Sequence, residues 1–197
     1  TGADAVYIHV DLDVLDPADL GGLLDPAPFG LSPSTLVGAI KALRARFPLA
    51  GATLDATASL EGGRIRIGGE FQGGKASAAG SPHAERFSEN EHLPSLASSA
   101  TTSVDAASTI DVSATGENGR GGSVVLWSDE RTRIDGALRA TGEASGGAVE
   151  ISSAAQVQSL ALNRVELGKG GLLLLDPKNI LIDDSGEGGA AGSVDFG

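Results

Sequence analysis

The order of apolar and polar residues changes character near residue 54. Before that point, Ala5 to Val10 form a nearly continuous apolar run, which is typical of a strand buried on both faces of a parallel sheet. Apolar residues then recur at helical spacing from Leu36 to Phe47, with Ser32 placed to cap the helix and Pro33 in its first turn. A short strand over Ala50–Leu54 follows, so this part predicts a small β-loop-α-β unit.

After residue 54 the pattern predicts short strands and no convincing helix. Three of these strands each follow a pair of glycines, and the pairs are spaced 25 and 24 residues apart. A fixed period of this size is typical of a solenoid, and the alternative is a β-sandwich with coincidental glycine turns. The glycine pairs are Gly121–Gly122, Gly146–Gly147 and Gly170–Gly171, and the strand-like segments are Arg64–Ile67, Thr109–Ala114, Ser123–Trp127, Ala148–Ile151, Val157–Leu162, Leu172–Leu175 and Ile180–Ile182.

The glycine period makes a specific prediction about the core. If the pairs mark equivalent corners, the three strands that follow them stack in parallel, and their inward side chains form one aliphatic column. Residues 80–102 interrupt the pattern because they are polar and lack periodicity, so we expect a loop excursion there with few buried contacts. The side chains expected to point inward are drawn from Val124, Leu126, Val149, Ile151, Leu173 and Leu175.

Composition narrows the classes of function. The 197 residues carry a net charge of −12, which argues against binding to nucleic acid or to an anionic membrane surface. No apolar run is long enough for a helix that crosses a bilayer, so we expect no membrane-spanning segment. The chain has no cysteine, which excludes disulfides and thiolate chemistry, and its 29 glycines favour tight turns over a helix-packed enzyme.

The most distinctive chemistry is a pair of carboxylates at the predicted end of the first strand. Asp11 and Asp13 are two residues apart, so both side chains would project from the same face of an extended chain. The carboxyl end of a parallel strand is where open α/β sheets bind ligands, and paired carboxylates suit Mn²⁺ or Mg²⁺. Two solvated aspartates at a strand end are the alternative.

This stretch also resembles a known family. The run HVDLDVLDP at His9–Pro17 and the later FGLSP at Phe29–Pro33 resemble a metal-binding motif of the arginase–agmatinase (ureohydrolase) enzymes. Over residues 1 to about 54, the resemblance implies that Asp11 bridges two manganese ions, that Asp13 binds one of them, and that Asp16 bonds its own turn. The other histidine, aspartate and glutamate ligands of that family are missing from this chain. We therefore expect no cofactor, and Mn²⁺ only if other residues complete the site.

The second part resembles a different family. Its glycine-rich and apolar motifs, taken in order, are similar to the repeat region of filamentous-haemagglutinin-like adhesins, which are exported by two-partner secretion. The resemblance covers about Leu54 to Asp183 and implies a right-handed parallel β-helix, a secreted or bacterial cell-surface location, an outer-membrane secretion transporter, and ligands on host cells or surfaces. The export signal would lie outside this sequence. The motifs are Gly62–Gly74, Gly119–Asp129, Ile134–Ala140, Gly146–Ser152 and Gly171–Ile180.

Together the two parts read as a fusion, whether natural, artefactual or constructed. We predict an arginase-like α/β fragment over residues 1–54 and a mainly β, adhesin-like segment over residues 55–197. The predicted function is a non-enzymatic adhesin segment with no catalytic residues. The alternative is a fragment of a binuclear manganese ureohydrolase that acts on a guanidino substrate, inactive as this chain stands.

Overall fold

Contacts between residues divide the protein into two compact units, Thr1–Ala50 and Gly51–Gly197. The computed structural model describes Leu15, Asp16, Ala18 and residues 30–46, 51–75, 82–87, 95–182 and 192–195.

In the first unit, the predicted helix is confirmed. Helix α1 spans Pro33–Arg46. The Ser32 hydroxyl accepts a hydrogen bond from the Thr35 amide at 3.2 Å, as an N-cap does. The Asp16 carboxylate accepts a hydrogen bond from the Ala18 amide at 2.9 Å, so Asp16 bonds its own turn as expected. The predicted strand Ala5–Val10 lies outside the described residues.

The second unit consists mainly of short strands. It contains one short helix, α2 (Pro82–Phe87), within its described residues, and 3₁₀ turns at Phe71–Gly74 and Leu162–Arg164. Its strands are β1 (Thr53–Asp55), β2 (Arg64–Ile67), β3 (Thr101–Val104), β4 (Thr109–Asp111), β5 (Ser123–Leu126), β6 (Arg131–Ile134), β7 (Ala137–Arg139), β8 (Ala148–Leu160), β9 (Val165–Glu166), β10 (Leu172–Ile182) and β11 (Gly192–Asp195).

Almost all strand pairs in this unit are parallel. One sheet has the order β1-β4-β7-β9, and the other has the order β11-β10-β8-β5-β2, with β3 pairing β6 and β6 pairing β8. Only β10 and β11 pair in antiparallel fashion among the described strands. The register places Val124, Val149 and Leu173 side by side, which confirms the predicted stacking of the strands that follow the glycine pairs.

The core is an aliphatic column between the sheets. Val124, Leu126, Val149 and Ile151 are 0% exposed, and Leu173 and Leu175 pack against them half-buried, so the six predicted inward side chains do point into the core. Burial of these side chains is the main stabilising contribution in a chain with few aromatic residues. The same cluster includes Val104, Ile110, Val112, Ile134, Leu138, Ala140 and Val157.

The predicted fold class is wrong. The sequence predicts a mainly β, right-handed parallel β-helix, whereas the structure is an α/β fold with parallel sheets and few helices, one sheet being nearly barrel-shaped. Strand β8 gives the physical reason. It runs on from Ala148 to Leu160 without glycine or proline, and it pairs first with β5 and then with β6. One sheet therefore curves through β8, whereas the sequence predicts two strands separated by a turn.

The expectation that no helix follows residue 54 is also wrong. Helix α2 lies within the segment predicted to be a loop excursion. Its last residue, Phe87, is 2% exposed and stacks on Phe71 with ring centroids 4.5 Å apart. These rings pack with Val125 and Leu172 in a second apolar cluster on the outer face of the sheet. The described part of the excursion is thus anchored by burial of apolar area.

The three predicted glycine pairs lie with a fourth pair, Gly62–Gly63, at one corner of the unit, which we call the glycine corner: Gly62–Gly63, Gly121–Gly122, Gly146–Gly147 and Gly170–Gly171. The backbones approach so closely there that side chains do not fit. A Cβ atom on Gly122 would lie 1.9 Å from the Gly63 carbonyl oxygen, and one on Gly147 would lie 2.1 Å from the Gly122 carbonyl oxygen. Gly122 and Gly147 are therefore required for close approach of the chain, whereas Gly170 has open space around it and instead adopts a left-handed φ of 66°.

We predict that Val149→Asp unfolds the second unit. Val149 contacts its neighbours on both sides of the column, so a charge there would be buried without a partner and should cost several kcal/mol. Val149→Thr keeps the shape of the side chain and should cost much less. Urea titration followed by the fluorescence of Trp127, the only tryptophan, measures both. A Val149→Asp variant as stable as the parent protein would contradict the aliphatic column.

We also predict that Gly122→Ala destabilises the second unit by roughly 1–3 kcal/mol or more, because the added methyl group collides with backbone atoms that cannot move independently. Gly38→Ala in helix α1 is the control, since no atom lies within 4 Å of the added Cβ. It should leave the Trp127 unfolding transition unchanged. Equal transitions for Gly122→Ala and the parent protein would show that the corner is not tightly packed.

Candidate functional site

The predicted metal ligands Asp11 and Asp13 lie outside the described residues. His9 and His92 also lie outside them, and nothing is described of the His83 side chain. Within the part of the chain that the structure does describe, no three His, Cys, Asp or Glu side chains come together in a group that could hold a metal ion. The predicted manganese site therefore remains a prediction that rests on the sequence.

A short loop covers the outer face of strands β5 and β8. We call residues 68–75 the cover loop. Its glycines allow it to lie flat on the Trp127 ring, since a Cβ atom on Gly69 would be 2.4 Å from the ring and one on Gly73 would be 2.3 Å from it. The loop turns through Gln72, which has the left-handed φ of 49°. Glu70 anchors its start through an ion pair with Arg66.

Under the cover loop lies a buried carboxyl group. Glu150, on β8 between Val149 and Ile151, is 0% exposed. The Gln72 amide donates to both of its carboxyl oxygens, at 2.9 and 3.2 Å. Desolvation by burial raises the pKa of Glu150 from the usual 4.5 to about 7, and the nearby Asp176 carboxylate acts in the same direction. The hydrogen bond from Gln72 opposes this rise because it favours the charged form.

A carboxyl group with a pKa near neutrality can serve as an acid or base where substrate reaches it. Glu150 does not line the charged pocket beside the glycine corner, and its carboxyl oxygens accept hydrogen bonds from the cover loop. The geometry therefore supports a positioning role, in which Glu150 holds the turn at Gln72 against the sheet.

The pocket lies beside the glycine corner and has a volume of about 190 Å³. Gly121 and Gly122 form part of its wall, and the absence of side chains there leaves it open. Three arginines and two glutamates line most of the rest, together with Ser123 and Ala148. The charged residues are Arg64 on β2, Arg86 and Glu85 on α2, and Glu61 and Arg120 in the turns that precede β2 and β5.

Arg86 links helix α2 to the glycine corner. Its guanidinium donates hydrogen bonds to the carbonyl oxygens of Gly146 at 3.3 Å and Gly170 at 2.7 Å. Arg64 forms an ion pair with Glu61 at 3.1 Å. The pocket is therefore built from charged groups that the parallel strands and the helix hold in place, and it could take a polar ligand of opposite charge.

No family model, curated protein or solved structure matches this chain. The resemblances to the adhesins and to the ureohydrolases accordingly stay predictions from the sequence.

Neither the burial of Glu150 nor the pocket is predicted from the sequence. Alternation in the strand points Glu150 away from the apolar column, which indicates a solvated side chain. Its burial comes from Gln72, 78 residues earlier in the chain, and no local pattern signals that contact. The pocket likewise combines residues from four separate parts of the sequence. The glycine pairs were the one available signal, because they marked the corner where the pocket forms.

We predict that Glu150 makes the second unit less stable as pH rises from 4.5 to 7. In that window the unfolded protein ionises this group while the folded protein keeps it protonated, so the free energy of unfolding falls, by an amount of the order of 3 kcal/mol. The Glu150→Gln variant has no ionisable group at this position and should lose this part of the pH dependence. Urea titrations across the window measure the difference.

The matched control is Glu130→Gln, because Glu130 is an exposed glutamate in the turn before β6. It should keep the pH dependence of the parent protein. A Glu150→Gln variant with the same pH dependence as the parent would show that the buried carboxyl group does not titrate in this range.

Proposed function

We propose that this protein is a non-enzymatic adhesin segment, similar to the repeat region of filamentous-haemagglutinin-like proteins, that acts as a scaffold and an adhesive surface. We further propose a secreted or cell-surface location, export through an outer-membrane secretion transporter, and ligands on host cells or other surfaces. The observation that carries the proposal is the in-register parallel pairing of β2, β5, β8 and β10. Those strands lie in four of the five motifs on which the resemblance rests.

The parallel pairing supports a scaffold because it buries the apolar side chains and leaves rows of polar side chains exposed. Many apolar side chains of the motifs pack into the inner column, and Phe71, Val125 and Leu172 pack in the outer cluster. Strands β3 and β6 alternate between exposed and buried residues. Thr101, Ser103, Arg131 and Arg133 consequently face solvent. A stack of this kind presents rows of polar side chains at the spacing of neighbouring strands, about 4.8 Å, and can engage an extended ligand along its length.

Within the described residues, no helix has both the length and the apolar character that crossing a membrane requires. The ureohydrolase alternative depends on Asp11 and Asp13, and no contact of the described residues favours it. We therefore do not put it forward as a second function.

The test is adhesion by the purified chain. Beads coated with the protein should bind cultured epithelial cells saturably, and excess soluble protein should compete. Beads coated with Val149→Asp should bind far less, because the stacked strands that carry the surface are lost. With Mn²⁺ present, arginine and agmatine should release no urea.

Two outcomes would contradict this proposal. One is equal cell binding by the parent protein and Val149→Asp. The other is release of urea that the Asp11→Ala and Asp13→Ala substitutions abolish, since the chain would then be an enzyme fragment whose remaining ligands come from elsewhere.

A further inference from the structure

Three arginines line the pocket beside the glycine corner, although the protein as a whole is acidic. The three guanidinium groups of the pocket outnumber its two carboxylates, which leaves a net positive charge in a chain whose overall charge is −12. A local cationic site of this kind attracts an anionic ligand.

Arg120 is the group best placed to bind such a ligand. Its backbone is fixed on both sides, because it forms parallel bridges with Glu61 and with Ser145, and its amide donates to the Leu60 carbonyl oxygen at 2.8 Å. Its side chain is exposed, and its guanidinium makes no hydrogen bond or ion pair with any residue that the structure describes. A guanidinium fork on a rigid base suits bidentate binding of a carboxylate.

Arg86 also lines the pocket. Its two hydrogen bonds to the carbonyl oxygens of Gly146 and Gly170 hold the guanidinium at the glycine corner. A guanidinium group has five N–H donors, so donors remain for a ligand.

The two carboxylates make the pocket selective. Glu61 forms an ion pair with Arg64, which offsets its charge, and Glu85 supplies a second acceptor. When an arginine binds the carboxylate of a ligand, the acceptors next to that arginine can accept hydrogen bonds from the hydroxyl groups of the same ligand. The volume of about 190 Å³ has room for several water molecules, and hence for a carboxylate with the adjoining part of a small ligand.

We propose that this pocket binds a small carboxylate that also carries hydroxyl groups, as an acidic sugar does. Arg120 binds the carboxylate, Arg86 assists it, and Glu61 and Glu85 accept hydrogen bonds from the hydroxyl groups. The inference goes beyond the proposed adhesive function and does not depend on it.

Isothermal titration calorimetry with the full chain tests the proposal, using glucuronate, propionate and glucose as probes. Glucuronate carries both recognition groups, propionate only the carboxylate and glucose only the hydroxyls. Glucuronate should bind saturably, propionate more weakly and glucose not measurably. Binding of glucuronate should weaken at high salt, since charge attraction contributes to it.

Substitutions locate the site. Arg120→Ala should weaken glucuronate binding about tenfold or more, because charge-assisted hydrogen bonds are lost. Arg120→Lys keeps the charge but loses the forked guanidinium, so its affinity for glucuronate should lie between those of the parent protein and Arg120→Ala. Arg139→Ala is the matched control, since Arg139 is an exposed arginine on β7 that does not line the pocket. Trp127 fluorescence checks that each variant is folded. If Arg120→Ala is unfolded, the affinity of Arg120→Lys for glucuronate tests the site instead.

Several results would overturn the proposal. They are an absence of saturable glucuronate binding, equal affinity for glucuronate and propionate, binding of glucose with the same affinity as glucuronate, and a loss of affinity on Arg139→Ala as large as the loss on Arg120→Ala. None of these results bears on cell adhesion, so failure here is distinguishable from failure of the proposed function.

Discussion

The close approach of backbones at the glycine corner is the constraint on which the second unit depends. A Cβ atom on Gly62 would lie 1.8 Å from the Val112 carbonyl oxygen, and one on Gly146 would lie 1.7 Å from the Leu167 carbonyl oxygen. Because neighbouring segments touch there through backbone alone, β2, β5, β8 and β10 begin at a common level. The common start sets the register, and the register brings the aliphatic side chains of successive strands into one column.

Two apolar layers of different composition follow from that register. The inner column is entirely aliphatic, from Val104 to Val157, and is thin enough for small side chains to fill. The aromatic residues Phe71 and Phe87 lie on the other side of the sheet, where they cover Val125 and Leu172. Strand β5 is consequently buried on both faces, with all four of its residues below the surface. A strand in that position cannot accept a polar substitution on either face without an unpaired buried group.

The sequence correctly predicted the features that depend on local pattern, and it did not predict the features that depend on contacts between distant segments. Helix α1, its Ser32 cap, the parallel register after the glycine pairs and the inward side chains all follow from spacing and turn chemistry. The fold class was wrong because β8 continues through Ser152–Gln156, where small polar residues suggested a turn but side-chain hydrogen bonds stabilise extended backbone. The burial of Glu150 and Phe87 could not be predicted, since each depends on the cover loop or helix α2 folding back onto strands far away in the chain.

Helix α2 connects the outer apolar layer to the charged pocket. Phe87 stacks on Phe71, which lies within the cover loop. The adjacent Arg86 donates hydrogen bonds to the carbonyl oxygens of Gly146 and Gly170 in the glycine corner. One buried ring thus fixes the orientation of a guanidinium group that would otherwise be free to move with a six-residue helix. The geometry of the pocket therefore depends on two features that also stabilise the unit. The glycine corner forms part of its wall, and the outer apolar layer holds helix α2, which carries Arg86, in place.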